Sequence, residues 1–268
     1  MNTTTGTPER AEPSLFLQAA LQAVRAAEAV ILNYYHRDVE VEFKADQSPV
    51  TIADVETEQT IKRIILEHFP EHGFLGEETG KVNSEAEYRW LIDPIDGTKS
   101  FVRHYPMFST QIALMHGNEL ILGVSNAPSF GELAYAEKGK GAFLNGKPLH
   151  TTTYTKLSQS ALSLGNIASL AAHPKRWTAL GNMIQQVQRI RGYGDFLHYH
   201  LLAAGKLDVV LESDVNILDI AALSVIVTEA GGTFTDMYGH ALTLSTQSVL
   251  ATASQALHST CLQHLHAD

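Results

Sequence analysis

Two aspartates three positions apart follow an apolar segment in the run Trp90-Leu91-Ile92-Asp93-Pro94-Ile95-Asp96-Gly97-Thr98. Residues 90–92 predict a buried strand that ends at Asp93 and Pro94, because proline donates no N–H and disfavours the helical conformation of the residue before it. Gly97 permits a close backbone approach, and the residues after it can open a helix with free N–H groups. Two carboxylates beside a helix N-terminus predict a site for hard cations and a phosphate, whereas an ordinary surface turn is the alternative.

The composition excludes some classes of partner. The chain has 268 residues, enough for one large domain or two small ones. Its hydrophobic content of 44% and charged content of 18% are ordinary for a soluble globular protein. The formal net charge of -10 argues against a nucleic-acid partner, since a phosphate backbone requires a basic surface. A phosphorylated small molecule is compatible with this charge if cations mediate the contact.

Several features indicate a cytoplasmic protein. Cys261 is the single cysteine, so no intrachain disulfide can form and we expect a reducing compartment. We expect no apolar run long enough to span a bilayer. Residues 1–13 are polar and rich in threonine, which predicts a disordered tail rather than a signal peptide. The thirteen histidines are scattered, and positions such as His258 are expected at the surface.

Hydrophobic periodicity changes near residues 150–157. Residues 14–153 predict two amphipathic helices, the strand described above and then an antiparallel meander of strands. Residues 154–268 predict strands that alternate with helices. We therefore expect an α+β half, which carries the motifs described here, and an α/β half.

Five carboxylates lie where one predicted element gives way to another: Asp54, Glu77, Asp93, Asp96 and Asp219. Asp54 and Asp219 stand at helix starts, where acidic residues are favoured by capping and the helix dipole alone. Glu77 is followed by Glu78, and adjacent carboxylates repel unless a cation offsets the repulsion. The context that all five share favours a metal site.

Four segments, in order, resemble the inositol monophosphatase-like superfamily of metal-dependent, lithium-sensitive phosphatases. They are residues 48–54 (Ser-Pro-Val-Thr-Ile-Ala-Asp), 76–78 (Gly-Glu-Glu), 93–98 (Asp-Pro-Ile-Asp-Gly-Thr) and 219–222 (Asp-Ile-Ala-Ala). The resemblance covers nearly the whole chain from about Leu15. It implies an α+β fold, a five-layered αβαβα sandwich of the inositol monophosphatase/fructose-bisphosphatase type. It also implies a homodimer with two or three Mg²⁺ ions.

The resemblance further implies a set of metal ligands. Glu77, Asp93 and the carbonyl of Ile95 would hold a first ion. Asp93, Asp96 and Asp219 would hold a second, and Glu77 would help to hold a third, weaker ion. The chemistry agrees, because Mg²⁺ prefers oxygen ligands and acidifies bound water.

The same resemblance implies roles in catalysis. Asp54 and Thr98 would position and deprotonate the attacking water, with Glu77 as a further catalytic residue. The backbone N–H groups of Gly97 and Thr98 would receive the phosphate, as a helix N-terminus can.

Two segments are similar to the histidinol-phosphatase subfamily: residues 96–103 (Asp-Gly-Thr-Lys-Ser-Phe-Val-Arg) and 191–196 (Arg-Gly-Tyr-Gly-Asp-Phe). Arg191, Asp195 and Glu212 stand where the family contacts the leaving group. Histidinol carries an ammonium and a titratable imidazole, to which Asp195 and Glu212 would supply opposite charge. The alternatives are a helix cap for Asp195 and a surface position for Glu212. We therefore expect hydrolysis of L-histidinol phosphate.

Three other functions compete with this one. An inositol monophosphatase or sugar-phosphate phosphatase would use the same chemistry. A 3′,5′-bisphosphate nucleotidase is disfavoured, since Asp195 and Glu212 would repel a second phosphate. A non-enzymatic regulator is disfavoured because the full set of motif residues is present. One departure is Leu218, where the family commonly has tryptophan; we expect Asp219 to keep its position, because it depends more on the backbone than on its neighbour.

Overall fold

The computed structural model describes residues 12–37, 41–43 and 49–266. Most of the predicted tail 1–13, and Ser48 of the segment 48–54, lie outside the described residues. In the described part the α-helices are α1 (Leu15–Tyr35), α2 (Ile52–His68), α3 (Thr98–Phe101), α4 (Ile167–Ala171), α5 (Pro174–Ile184), α6 (Asp195–Ala203), α7 (Ile217–Glu229) and α8 (Gln255–Leu265).

The strands of the first half are β1 (Val41–Phe43), β2 (Pro49–Thr51), β3 (Gly73–Gly76), β4 (Gly80–Val82), β5 (Tyr88–Asp96), β6 (Ser109–His116), β7 (Glu119–Ala127), β8 (Glu132–Glu137), β9 (Ala142–Leu144) and β10 (Lys147–Pro148). Those of the second half are β11 (Ala161–Gly165), β12 (Arg189–Arg191), β13 (Val209–Ser213), β14 (Thr233–Thr235) and β15 (Ser248–Thr252). Besides the pair β1-β2, they form an eight-stranded sheet in the order β10-β9-β8-β7-β6-β5-β3-β4 and a five-stranded sheet in the order β12-β11-β13-β15-β14.

The two sheets alternate with three layers of helices. Successive strand residues face opposite sides of a sheet. On β5, Trp90 and Ile92 therefore pack with α1 and α2, while Leu91 packs with α6 and α7. On β13, Val210 faces the same α6 and α7 layer, and Leu211 faces α5 and α8. The order is α1/α2, sheet, α6/α7, sheet, α5/α8, which confirms the expected five-layered αβαβα sandwich.

Helix α7 is the central element of this sandwich. Ten of its residues are buried, from Ile217 to Val227, as expected of a helix covered on both sides. It contacts β6 and β7 of the large sheet and β14 of the small one. A Cβ at Gly123 of β7 would lie 2.2 Å from the carbonyl oxygen of Ala222, so only glycine permits this close crossing. The predicted division at residues 153 and 154 stays a prediction.

The sequence-based expectation about apolar runs is wrong for α1. This helix of 21 residues has the length and composition of a membrane-spanning helix. Its small buried residues, including Ala20, Ala23 and Ala27, pack with α2 and the large sheet instead. Glu28 on the same helix accepts a hydrogen bond of 3.0 Å from the Asn126 amide. An apolar helix in the outer layer of a sandwich can match a membrane-spanning helix in length and composition. The apolar sequence of α1 is therefore explained by its packing.

Candidate active site

A bulge at the end of β5 brings two aspartates to the same side. Asp93 pairs with Gln111 of β6 and Asp96 pairs with Ser109, so three steps on β5 match two on β6. Residues three apart on a regular strand face opposite sides, and one extra residue restores the same side. The prediction that the strand ends at residues 93 and 94 is therefore wrong: β5 continues to Asp96. Pro94 is tolerated because a bulge leaves one residue outside the regular ladder.

The third aspartate comes from the start of α7. The side chain of Asn216 accepts a hydrogen bond from the backbone N–H of Leu218 at 2.7 Å. In return, Oδ2 of Asp219 accepts from the backbone N–H of Asn216 at 2.9 Å, which completes a capping box. Asp219 therefore has the expected capping role, and that role fixes one carboxylate oxygen. Leu218 is buried in the central core, so the aspartate keeps its position without the tryptophan.

Oxygens of Asp93, Asp96 and Asp219 all lie within 4.8 Å of one another. Burial, followed by the charge of Glu77, raises the pKa of Asp93 well above its ordinary value. Burial and then the charge of Asp195 do the same for Asp96. Burial raises the pKa of Asp219 to about 7. Three neighbouring carboxyls whose pKa values are all raised by burial are a donor set that a hard cation stabilises, and the cluster could hold a metal ion.

Glu77 lies beside this trio. It follows β3, its backbone N–H donates to the carbonyl of Ile92 at 3.3 Å, and it hydrogen-bonds the Asp93 side chain. The turn after it depends on Glu58, a buried residue of α2 that the sequence reasoning missed. The Glu58 carboxylate accepts from the backbone N–H groups of Glu78 at 2.7 Å and Thr79 at 2.8 Å. A helix residue thus holds the turn that presents Glu77.

Asp54 and Thr98 meet, as expected, at the starts of two helices. Oδ2 of Asp54 accepts from the backbone N–H and the hydroxyl of Thr51, both at 2.7 Å, in the capping box of α2. Oδ1 of Asp54 lies 3.4 Å from Oγ1 of Thr98. The same hydroxyl lies 3.0 Å from the carbonyl oxygen of Ile95, the predicted backbone ligand. The cap fixes one oxygen of Asp54 and leaves the other facing Thr98.

Gly97 is required where β5 turns into α3. Its φ of 87° lies in the left-handed region, and a Cβ there would lie 2.5 Å from the carbonyl oxygen of Met107. The backbone therefore turns sharply after Asp96 and places Thr98 at the first position of α3.

Further carboxylates line a cavity next to the trio. Its walls are formed by nine residues: Asp96, Asn166, Asp195, Tyr199, Glu212, Val215, Asp219, Ile220 and Leu223. Gly194 is the N-cap of α6 and Asp195 is the first residue of the helix, so Asp195 is not the cap. Burial, followed by the charge of Glu212, raises the pKa of Asp195 to about 6. Glu212 is only 4% exposed, so the alternative of a surface position is wrong.

Arg191, the third residue predicted to contact substrate, is placed differently. It is exposed at the end of the edge strand β12, and its guanidinium donates to the carbonyl of Ile190 at 2.7 Å. It is not among the residues that line the cavity. The cavity instead includes Tyr199 and Asn166, which the sequence reasoning missed. Tyr199 could have been found from its helical spacing to Asp195, four positions on.

A larger groove of about 790 Å³ lies elsewhere, between α5 and α8. It is lined by basic and neutral residues, among them Lys175, Arg176 and His264. Because none of the clustered carboxylates reaches it, we assign the site by its chemistry and not by its volume.

Comparison with known proteins agrees with this geometry. The profile of the inositol monophosphatase family matches residues 12–268. A histidinol-phosphatase from Mycobacterium tuberculosis is 36% identical over 230 residues, which cover 84% of this chain and 88% of that protein. An inositol monophosphatase from Dictyostelium discoideum is 34% identical over 243 residues, covering 88% and 89%. The crystal structure of the extragenic suppressor protein suhB from Bartonella henselae superposes with a TM-score of 0.87 at 28% identity, covering 95% of this chain and 99% of that one. The chain therefore belongs to the inositol monophosphatase family and is a phosphatase.

Proposed function

We propose that the protein is a Mg²⁺-dependent phosphomonoesterase that hydrolyses L-histidinol phosphate to L-histidinol and phosphate. The proposed substrate rests mainly on Asp195 and Glu212, which line one cavity together with Asp96 and Asp219. Relatives named histidinol-phosphatase, at 35% and 36% identity, support the same substrate.

The donor set fits Mg²⁺, which prefers several carboxylates and carbonyl oxygens. Glu77, Asp93 and the Ile95 carbonyl would hold one ion, and Asp93, Asp96 and Asp219 a second. Glu77 would help to hold a third. When bound, these ions offset the charge of the phosphate and of the oxygen that leaves.

The chain's own residues then direct the reaction. Water attacks phosphorus as the ester P–O bond breaks; the water loses one proton, and the leaving oxygen gains one to become the hydroxyl of the alcohol product. Asp54 and Thr98 would orient that water, because Oγ1 of Thr98 lies 3.4 Å from Oδ1 of Asp54 and can pass it a proton. Glu77 would act with them. The backbone N–H groups of Gly97 and Thr98 would hold phosphate oxygens.

The carboxylates of the cavity would bind the leaving group. Histidinol presents an ammonium and an imidazole, and charge-assisted hydrogen bonds to Asp195 and Glu212 would hold both. Arg191 is exposed at the end of β12, so it would contact substrate only from outside this cavity. A nucleoside bisphosphate would bring a second phosphate towards two carboxylates, which opposes binding.

An inositol monophosphatase is the second candidate, since relatives with that name are 34% identical. A neutral polyol can hydrogen-bond the same carboxylates but gains no charge attraction from them. The comparison of a cationic with a neutral leaving group therefore separates the two candidates.

We further propose that the enzyme works in the cytoplasm as a homodimer and is inhibited by Li⁺. The single cysteine and the family resemblance support these proposals. Light scattering on the purified protein tests the dimer.

The test of the substrate is Asp195→Asn, which keeps the size of the side chain and removes its charge. We expect kcat/KM for histidinol phosphate to fall by roughly tenfold or more, as for a lost hydrogen bond between charged groups, with inositol monophosphate affected little. The exposed Glu85→Gln is the matched control. Equal losses on both substrates would make Asp195 a structural residue and would contradict the proposal.

A further inference from the structure

Glu212 is held from two sides by neighbouring residues. Its Oε2 accepts hydrogen bonds from Nε2 of His198 at 3.0 Å and from the hydroxyl of Tyr199 at 2.7 Å. Its Oε1 lies against Gly165, where a Cβ would approach it to 1.9 Å. Gly165 and Glu212 are register partners on β11 and β13. In the described part of the chain, both hydrogen bonds to this carboxylate go to Oε2, so Oε1 keeps its capacity to accept one.

The ring of His198 is itself fixed. It is fully buried, and its Nδ1 lies 3.3 Å from Oγ of Ser163. That hydroxyl accepts from the backbone N–H of Tyr193 at 3.1 Å, so its own proton is available to Nδ1. A carboxylate only accepts hydrogen bonds, so Nε2 must carry the proton that points to Glu212. The chain of donors runs in one direction, from Tyr193 through Ser163 and His198 to Glu212.

These hydrogen bonds link Glu212 to the segment that carries Asp195. Tyr193 lies two residues before Asp195, in the turn between β12 and α6. His198 and Tyr199 follow Asp195 by three and four positions, which places all three on one face of α6. The position of Glu212 is therefore set by the same short segment that carries Asp195.

We propose that His198 is a positioning residue that determines specificity, because it fixes the Glu212 carboxylate so that its Oε1 faces a cationic leaving group. This proposal rests on the proposed function for its substrate class, a phosphomonoester with an ammonium or imidazolium group. His198 itself is not among the residues that line the cavity. Its contribution is expected in the recognition of the leaving group and not in the breaking of the P–O bond.

The experiment compares His198→Phe, which keeps a flat ring without a donor, with His198→Gln, whose amide can again donate to Glu212. We expect His198→Phe to lower kcat/KM for histidinol phosphate by roughly tenfold, mostly through KM, and to change the value for inositol monophosphate by much less. We expect His198→Gln to restore much of the loss. If His198→Phe does not fold, Ser163→Ala, which leaves His198 in place, is expected to shift the same ratio in the same direction.

His200→Phe is the matched control. His200 is also buried on α6 and also contacts a carboxylate, with Nδ1 at 2.9 Å from Glu132 and Nε2 at 2.9 Å from Ser125. Glu132, unlike Glu212, does not line the cavity. We expect this variant to lower the unfolding temperature without changing the ratio of the two substrates.

The inference would be overturned if the ratio of kcat/KM for histidinol phosphate to kcat/KM for inositol monophosphate were unchanged in both His198→Phe and Ser163→Ala. An equal shift of that ratio in His200→Phe would overturn it as well. The proposed function is tested separately, by the ratio in the unaltered enzyme. If that enzyme prefers the neutral substrate, the proposed function fails. A shift against the cationic substrate in the His198 variants would still support the positioning role.

Discussion

Removal of metal is expected to make the stability of this protein fall as the pH rises. Burial raises the pKa of Asp219 from 3.8 to about 7 and that of Asp195 from 3.8 to about 6. The folded metal-free protein therefore keeps these protons at pH values where the unfolded chain has lost them. The stabilisation is complete below about pH 3.8 and is lost as the pH rises towards about 7 for Asp219 and about 6 for Asp195.

The magnitude follows from the pKa of Asp219 alone. Between pH 5 and pH 7, a carboxyl with a folded pKa of about 7 loses roughly 2 kcal/mol of stability relative to the unfolded chain. For a chain of this length, that corresponds to a fall of about 4 °C in the unfolding temperature. The other carboxylates titrate together with Asp219, so their contributions are not added.

The assay is thermal unfolding at pH 5 and pH 8, with EDTA and with excess Mg²⁺. A bound cation offsets the repulsion, so we expect Mg²⁺ to raise the unfolding temperature far more at pH 8 than at pH 5. Asp219→Asn keeps the capping acceptor and removes the charge, so its metal-free protein should lose less stability with pH. Glu85→Gln, at an exposed position, is the control. The reasoning is refuted if the metal-free protein becomes more stable from pH 5 to pH 8, or if Mg²⁺ raises the unfolding temperature equally at both.

Two substitutions test other parts of the site. Gly165→Ala would place a Cβ 1.9 Å from Oε1 of Glu212, so the carboxylate must move. We therefore expect kcat/KM for histidinol phosphate to fall on the order of 100-fold. The control is Gly181→Ala, where a Cβ meets nothing within 4 Å, and equal kinetics for the two variants would count against this. Thr98→Ala should lower kcat by about 100-fold and Thr98→Ser should retain most activity, because only the hydroxyl faces Asp54; similar rates for the two variants would exclude a role for the hydroxyl.

The positions of the acidic residues along the chain could be predicted because local signals mark them. Asp54 and Asp219 begin helices, and each takes the third position of a capping box. At both positions the same aspartate is the capping residue and a predicted site residue. This is possible because the cap occupies only one oxygen of the carboxylate. The five layers followed from the family resemblance, and the alternation along β5 and β13 confirms them.

The features that were missed depend on partners distant in the sequence. The bulge after Asp93 exists only in the pairing of β5 with β6. The role of Glu212 was predicted from the family resemblance alone, because its burial depends on α6 packing over β13 and nothing near residue 212 indicates it. Glu58 looks like an ordinary helix residue until the turn at residues 77–79 folds over it. Strands of two or three residues, such as β4, β10 and β14, are too short for periodicity to reveal.

The most direct test of the account is the rate of phosphate release from a panel of substrates with Mg²⁺, with and without Li⁺. The panel contains L-histidinol phosphate, inositol monophosphate and a nucleoside 3′,5′-bisphosphate. The acidic cavity predicts that kcat/KM is highest for histidinol phosphate and that the bisphosphate is the poorest substrate. Equal rates for histidinol phosphate and inositol monophosphate, or a preference for inositol monophosphate, would contradict the claim that Asp195 and Glu212 select a cationic leaving group.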